Sequence, residues 1–338
     1  FCRHNAAARH SVSCGKAPLR RRALRGCDAV YKIKKTALNR SRLLTGTYKT
    51  VWSIVRAVLL IGLSFIILYP LIYMVSIAFR PLDELFDPSV VWIPKHLTLK
   101  NIKFAMEKMN MLKPVGTENS LFNSVVVNLL SALLQVASTA FVGYGFARFE
   151  FKLRGFLFGV VIFTMVVPVN SIIIPLFLNY RNLHLLDSYF AFYIPAILGQ
   201  GIRSGLFIFI FRQFFKGMPK EFEDAASVDG CGGLRTFLQI FVPNAGPAFL
   251  TSFLFSIVWY WNDYYYSSMF FPTKQTVSLA LAGLRNLLST DATVGRDPYQ
   301  LLISLQAGSF LVCIPLLLMY MFLQRYFVQS IERTGIVG

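Results

Sequence analysis

The side chains that most often carry chemistry are scattered in this chain. Four histidines (His4, His10, His96, His184) and five cysteines (Cys2, Cys14, Cys27, Cys231, Cys313) form no CxxC pair and no cluster of metal-ligand spacing. Neither a zinc site nor a disulfide framework is therefore expected. There is also no HExxH motif and no GxxxxGK phosphate loop. The residues that could act as a unit lie between Lys216 and Pro243. Pro219 suits a first helical turn, and Glu221, Glu223 and Asp224 put negative charge where a helix N-terminus favours it. Ala225 and Ala226 leave a surface without bulk, and Asp229-Gly230 ends the helix, with glycine supplying a left-handed residue. A second amphipathic helix is expected from Leu234 to Val242, stopped by Pro243. The chemistry on offer is non-covalent. One reading is a docking element with an acidic first turn and a small-residue face; the other is an interfacial hairpin that joins two neighbouring segments.

The elements that must position this loop are strongly apolar. Of 338 residues, 55% are hydrophobic and only 15% charged, yet the formal net charge is +18. Soluble domains carry about 25% charged residues. Residues 1–50 hold 13 Lys/Arg against the single acid Asp28, so the tail alone contributes +12. An apolar body with a basic tail reads as a membrane protein rather than a nucleic-acid binder. The tail starts with Phe and has no apolar h-region, so it is no secretory signal peptide. It is expected to be a basic cytoplasmic tail, disordered at its start, on a chain that is a fragment or is read from upstream of its true start.

A bilayer core of about 30 Å needs about 20 apolar residues per helix. Six runs qualify, at about 57–79, 120–147, 155–178, 188–211, 247–268 and 299–323, while Gln275 to Leu284 is too short. The expectation is an all-α membrane protein whose six transmembrane helices occupy residues 51–338, with a loop at 212–246. Arg148, Lys152 and Arg154 in the short second loop, the Arg212–Arg235 segment and the Arg325/Arg333 tail share one side with the N-terminus. By the positive-inside rule both termini are cytoplasmic. Asp83, Glu84, Asp87, Asp291 and Asp297 fall on the opposite side. Pro168 and Pro175 bracket Asn170 and Ser171 in the third run, where a kink is expected.

Polar side chains inside the runs are candidates for a solute path: Asn128, Gln135, Asn170, Arg203 and Gln306. Asn128 and Gln135 share a helix face with Ser131 and Ser138, which points to a pore or to a neighbouring helix. Arg203 stands out, since a charge within a span is costly. It is expected to line a water-filled path, and Gly199, Gly201 and Gly205 around it permit a local break. No Asp or Glu lies in the uncharged stretch of any run (Asn244 to Asn262 in the fifth), which argues against a proton- or sodium-coupled transporter.

The loop also resembles a known signature. Asp224-Ala225-Ala226, Gly230, Ile240, Val242 and Pro243 keep the spacing of the Glu-Ala-Ala-x3-Gly-x9-Ile-x-Leu-Pro loop of ABC importer permeases, with Asp for Glu and Val for Leu. The run from Arg212 to Glu221, the Trp261–Tyr264 segment and the Leu323–Val328 segment are similar to the maltose-type, carbohydrate-uptake branch. The resemblance covers roughly residues 50–338. It implies a type I (MetI-like) permease fold with a cytoplasmic coupling helix, in the bacterial inner membrane. It further implies a homologous second permease, two cytoplasmic ATPase subunits that hydrolyse ATP, and an extracytoplasmic sugar-binding protein. The chain itself would have no cofactor and no ATPase site. Glu223, Asp224, Ala225, Ala226, Gly230, Ile240 and Pro243 would meet the ATPase. The solute would be a sugar or oligosaccharide, with a non-sugar solute such as a peptide or polyamine as the alternative.

Overall fold

The computed structural model describes residues 49–87, 92–114, 116, 118–291 and 297–334; the basic tail expected over residues 1–50 therefore lies almost wholly outside the described residues. Among the described residues the regular elements are all helical. The chain divides into two units at Leu71/Ile72. In the first, the described residues form most of α1 (Lys49–Ala78), whose leucines and isoleucines are exposed, as on a helix meant for lipid.

In the second unit, α3 (Ser120–Arg148) is the axis on which the others pack. Its small residues Ala132, Ala140 and Gly143 let neighbours come close, which is how helices associate where lipid removes the hydrophobic drive. A methyl at Gly143 would sit 2.6 Å from Phe211 Cβ and 3.0 Å from the Arg212 backbone nitrogen. The partner is α7 (Ser204–Gly217), which turns Phe207, Phe211 and Phe215 inward at one per turn, all fully buried. Beyond α7 come α8 (Glu221–Val228), α9 (Gly233–Thr236), a π-helical turn Phe237–Phe241, α10 (Val242–Asn244) and α11 (Gly246–Trp261), which returns along α3.

Among the described residues three helices are long and apolar enough to cross a membrane: α1, α3 and the first part of α14 (Pro298–Thr334). The remaining expected spans are not straight. The third is split into α4 (Arg154–Val166) and α5 (Val169–Asn182), bent by 103°. The expected kink is thus a break of slightly more than a right angle, because Pro168 holds extended backbone and a new helix starts after it. The fourth, expected to run unbroken over 188–211, is two pieces, α6 (Phe190–Ile197) and α7. Gly199 at φ 70° and Arg203 at φ 55° leave the helical region between them. In the fifth, Pro243 does not stop the helix. It occupies the first turn of α10, where its missing N–H costs nothing, and the chain bends by 80° only at Ala245. That span also ends earlier than expected, at Trp261, because the Asp263 carboxylate caps a separate short helix α12 (Tyr265–Phe270) by accepting from the Ser267 N–H at 2.8 Å.

The opposite end from α8 is built by α2 (Lys100–Lys108) and α13 (Val277–Thr290) packing on α14 around Met109, Leu284, Leu288 and Ala307. Lys108 and Asp291 pair there at 2.7 Å. Asn101 donates to the Arg80 carbonyl at 2.8 Å, and Glu84 accepts from the backbone N–H of Lys95 and His96 at 2.9 and 2.7 Å. Asp187, between α5 and α6, clasps the strand-free segment before α13. It accepts from the Thr273 hydroxyl and from the Thr273 and Lys274 N–H groups at 3.2 and 3.1 Å. Burial pushes this carboxyl up, but those hydrogen bonds and the Lys274 side chain together hold it below the ordinary carboxylate range.

Candidate functional site

The 216–243 loop folds as a helix and a stop, as its residue types require. Glu221, Glu223 and Asp224 all sit in the first turn of α8. The stop is a complete left-handed cap: Cys231 N–H donates to the Ala226 carbonyl at 2.8 Å, Gly230 N–H donates to the Ser227 carbonyl at 3.1 Å, and Gly230 has φ 73°. Ala226 is buried, whereas Asp224, Ala225 and Gly230 face outward. Val228 is 88% exposed and Phe222 and Leu234 are exposed beside it, so α8 presents an apolar tip with an acidic shoulder. Ile240 is half-buried against the aromatic cluster, and Pro243 is exposed.

A residue absent from the sequence-level candidates holds this hairpin in place. Arg148, at the C-terminal end of α3, is almost completely buried. Its Nη2 donates to the carbonyls of Phe215 and Met218, at 2.7 and 2.6 Å, where α7 ends. Its Nε lies 3.5 Å from the Glu223 carboxylate of α8, and its guanidinium stacks 4.9 Å from the Phe241 ring centroid. Around it Tyr144, Phe215, Phe237 and Phe241 pack edge-on and tilted at 5.0 to 6.1 Å. The π turn aims both Phe237 and Phe241 into this cluster, an irregularity of the kind found at functional sites. One arginine thus touches α3, α7, α8 and the π turn at once.

The candidates for a solute path divide into two groups. Gln135 is fully buried and supports the α6–α7 break. Its Nε2 donates to the Ile202 carbonyl at 2.6 Å, and its Oε1 accepts from Ser256 of α11 at 3.4 Å. The Tyr260 hydroxyl accepts from the Ile202 N–H at 3.4 Å, and Ser138 donates to the Ala196 carbonyl. The Ile202 carbonyl and N–H and the Ala196 carbonyl at the break are therefore paired inside the protein. Gly201 is necessary here, since a methyl would collide with the Tyr260 hydroxyl and come within 2.8 Å of Gln135 Oε1.

Arg203 belongs to the same break but points away from this clasp. It is exposed, with its guanidinium 5.1 Å from the Trp259 ring centroid, and Trp259 in turn packs on Phe207 and Phe255. Asn128 is buried at the edge of a cavity of about 150 Å³ between α3, α11 and α14, where its Nδ2 finds no partner. Trp261, in the segment that resembles the carbohydrate-uptake branch, is buried and donates its Nε1–H to the Val312 carbonyl at 3.0 Å, near Pro315 in α14. Asn170 is exposed in the first turn of α5 and Gln306 is half-buried on α14; neither is brought to the Arg203–Trp259 pair by any hydrogen bond among the described residues. No group of metal ligands occurs among the described residues.

Residues 139–333 match the family described as binding-protein-dependent transport system inner membrane component. The chain is 30% identical over 283 residues to an arabinooligosaccharides transport system permease protein of Halalkalibacterium halodurans, covering 82% of this chain and 93% of that one. It is 31% identical over 209 residues to a lactose transport system permease protein of Rhizobium radiobacter, covering 62% and 72%. Its backbone is similar to a crystal structure of a bacterial ABC transporter involved in the import of the acidic polysaccharide alginate, with TM-score 0.68 and 23% identity over 82% of this chain and 96% of that chain.

Proposed function

Because the chain belongs to the binding-protein-dependent transport system inner membrane component family, we propose that it forms one half of the membrane pore of an ATP-driven importer for a sugar or oligosaccharide. The pore's other half is a homologous permease, a cytoplasmic ATPase subunit sits under each half, and an extracytoplasmic binding protein delivers the solute. The sugar reading is supported by relatives whose names specify arabinooligosaccharides and lactose. The observation that carries the mechanism is the bolted α8 hairpin. Its exposed Asp224, Ala225 and Val228 form the surface offered to the ATPase, and Gly230 sets the angle at which the helix stops. Closure of the ATPase dimer displaces α8, and Arg148 transmits that displacement to α3 and α7 as a rigid-body movement.

In this reading the chain crosses the membrane six times, with α8 and both termini on the cytoplasmic side. The bent pairs α4–α5 and α9–α11 and the broken pair α6–α7 supply three of the crossings. At about 1.5 Å per residue, α6 and α7 together reach roughly 33 Å, enough for one crossing. Arg203 then lies at about 20 Å from the α8 end of α7, deep in the bilayer, where an exposed guanidinium must face a water-filled path. Arg203 and Trp259 are the proposed solute contacts. Gln135 acts behind them as a support for the break, and Asn128, Asn170 and Gln306 are subsidiary path residues.

The test is uptake of labelled arabino-oligosaccharide or lactose by cells expressing the assembled transporter, with the ATPase pulled down in parallel. Gly230→Pro is expected to abolish both uptake and ATPase co-purification. Persistence of both in that variant refutes the docking role of α8, and uptake of neither sugar by the wild-type transporter refutes the sugar reading.

A further inference from the structure

Two cations at the α8 end of the bundle take no part in holding the hairpin. Arg154 opens α4 and folds back on the last turn of α3, donating from Nε to the Phe146 carbonyl at 2.9 Å and from Nη2 to the Ala147 carbonyl at 3.0 Å. One turn along α4, Phe158 presents its ring to the guanidinium of Arg212, which lies 3.9 Å from the ring centroid. Arg212 Nε is shut off from solvent and has no hydrogen-bond partner. Arg154 and the Phe158 ring that receives Arg212 thus lie a single helical turn apart on α4. Among the described residues neither guanidinium is ion-paired, and the nearby acid of the loop, Glu150, is exposed and takes no part in an ion pair. The first turn of α4 adds to the same field, since it has no side-chain cap and its dipole points positive end outward.

What runs away from this pair is apolar. None of the side chains of α4 is buried, and Phe156, Phe163 and Val166 are 68%, 65% and 74% exposed. A helix of this length offers roughly 20 Å of continuous hydrocarbon surface starting at the arginines. Phosphate-seeking guanidiniums at one end of such a surface match one molecule in shape and charge, a phospholipid with a net negative headgroup.

We propose that Arg154 and Arg212 hold the headgroup phosphate of an anionic phospholipid whose acyl chains lie along α4. The site rests on the reading of this chain as bilayer-embedded. Its place is informative: α4 packs on α7, and α7 ends at the carbonyls gripped by Arg148, so the lipid sits one helix away from the α8 hairpin.

The experiment is native mass spectrometry of the full chain, purified with the subunits it assembles with, and titrated with phosphatidylglycerol or phosphatidylcholine. The expected result is retention of phosphatidylglycerol at concentrations roughly thirtyfold lower than phosphatidylcholine. Arg154→Gln with Arg212→Gln removes that preference, whereas Lys100→Gln with Lys103→Gln, on the far end, leaves it intact. A benzophenone side chain introduced at Phe156 in the otherwise unaltered chain gives a reading that does not depend on the arginine variants folding; it is expected to capture phosphatidylglycerol. Equal retention of both lipids, or a protein captured in place of lipid, overturns the proposal while leaving the chain bilayer-embedded. Displacement of the lipid by millimolar inorganic phosphate assigns the site to free phosphate and also overturns it. Retention of neither lipid likewise overturns the proposal.

Discussion

Replacing Arg148 with Met keeps the bulk and the stem of the side chain while removing its charge and its donors. Two short hydrogen bonds are lost, to Phe215 at 2.7 Å and Met218 at 2.6 Å, together with a 3.5 Å ion pair and a stacking contact. Charge-assisted bonds contribute about 1.5–3 kcal/mol each, less what water recovers at carbonyls that become accessible, giving a net loss of about 3 kcal/mol. At about 2 °C per kcal/mol for a chain of this size, the unfolding midpoint falls by about 6 °C. Glu223→Gln removes only the ion pair, whose acid side chain is 29% exposed, so it costs about 0.5 kcal/mol or roughly 1 °C. The two variants therefore separate support of the α7 end from the link to α8. Thermal unfolding of the purified chain reads the first effect. The ratio of solute taken up to ATP hydrolysed in proteoliposomes reads the second, and it is expected to fall in both variants while hydrolysis persists. Equal shifts in unfolding midpoint, or an unchanged ratio in both, would falsify the assignment of Arg148 as the bolt between hairpin and bundle.

Gly201→Ala is expected to destabilise by about 2–4 kcal/mol, because its methyl meets Tyr260 and Gln135 in a site that cannot expand; Gly62→Ala, where nothing lies within 4 Å, is the neutral comparison in the same unfolding assay. Arg203→Ala at normal membrane levels is expected to cut uptake at least tenfold with little effect on the unfolding midpoint, and unchanged uptake removes Arg203 from the path. Asp187 is held below its ordinary value, so its contribution is fully present above about pH 4 and is lost as pH falls through the lowered value. Asp187→Asn should lower the midpoint at neutral pH and flatten that acid limb; an acid limb identical to wild type rules out the clasp as its source. Trp261→Phe leaves the Val312 carbonyl beside Pro315 without its donor, and a loss of about 1–2 kcal/mol is expected from the same melting curves.

The hairpin was legible in the sequence because every determinant of it is local: three acids in one turn, two alanines, and a glycine where the helix must stop. Arg148 was not, since its partners are 67 and 70 residues further along the chain and a basic residue at the end of an apolar run looks like any loop charge. Hydropathy found the apolar runs, but it averages composition and is blind to backbone angle. It therefore drew 188–211 as one rod although Leu198 to Arg203 is non-helical, and only the cluster of glycines at 199, 201 and 205 hinted at the break. Pro243 was misjudged for a related reason: proline ends one helix and begins another with equal ease, and only the following residues decide which. Within the polar stripe on α3, Gln135 and Ser138 meet backbone carbonyls of the α6–α7 break, while Asn128 borders a cavity, and that division depends on elements far along the chain.

The clasp at the α6–α7 break also sets an order of assembly. The Ile202 carbonyl finds Gln135, which is synthesised 67 residues earlier, but the Ile202 N–H must wait for Tyr260, 58 residues later. While the ribosome is still making α11, the Ile202 N–H at the break lacks its partner, so the break is completed only when α11 closes over it. A truncation before Tyr260 should consequently be recognised by membrane proteases as unfinished, even though the helices upstream of the break are already whole.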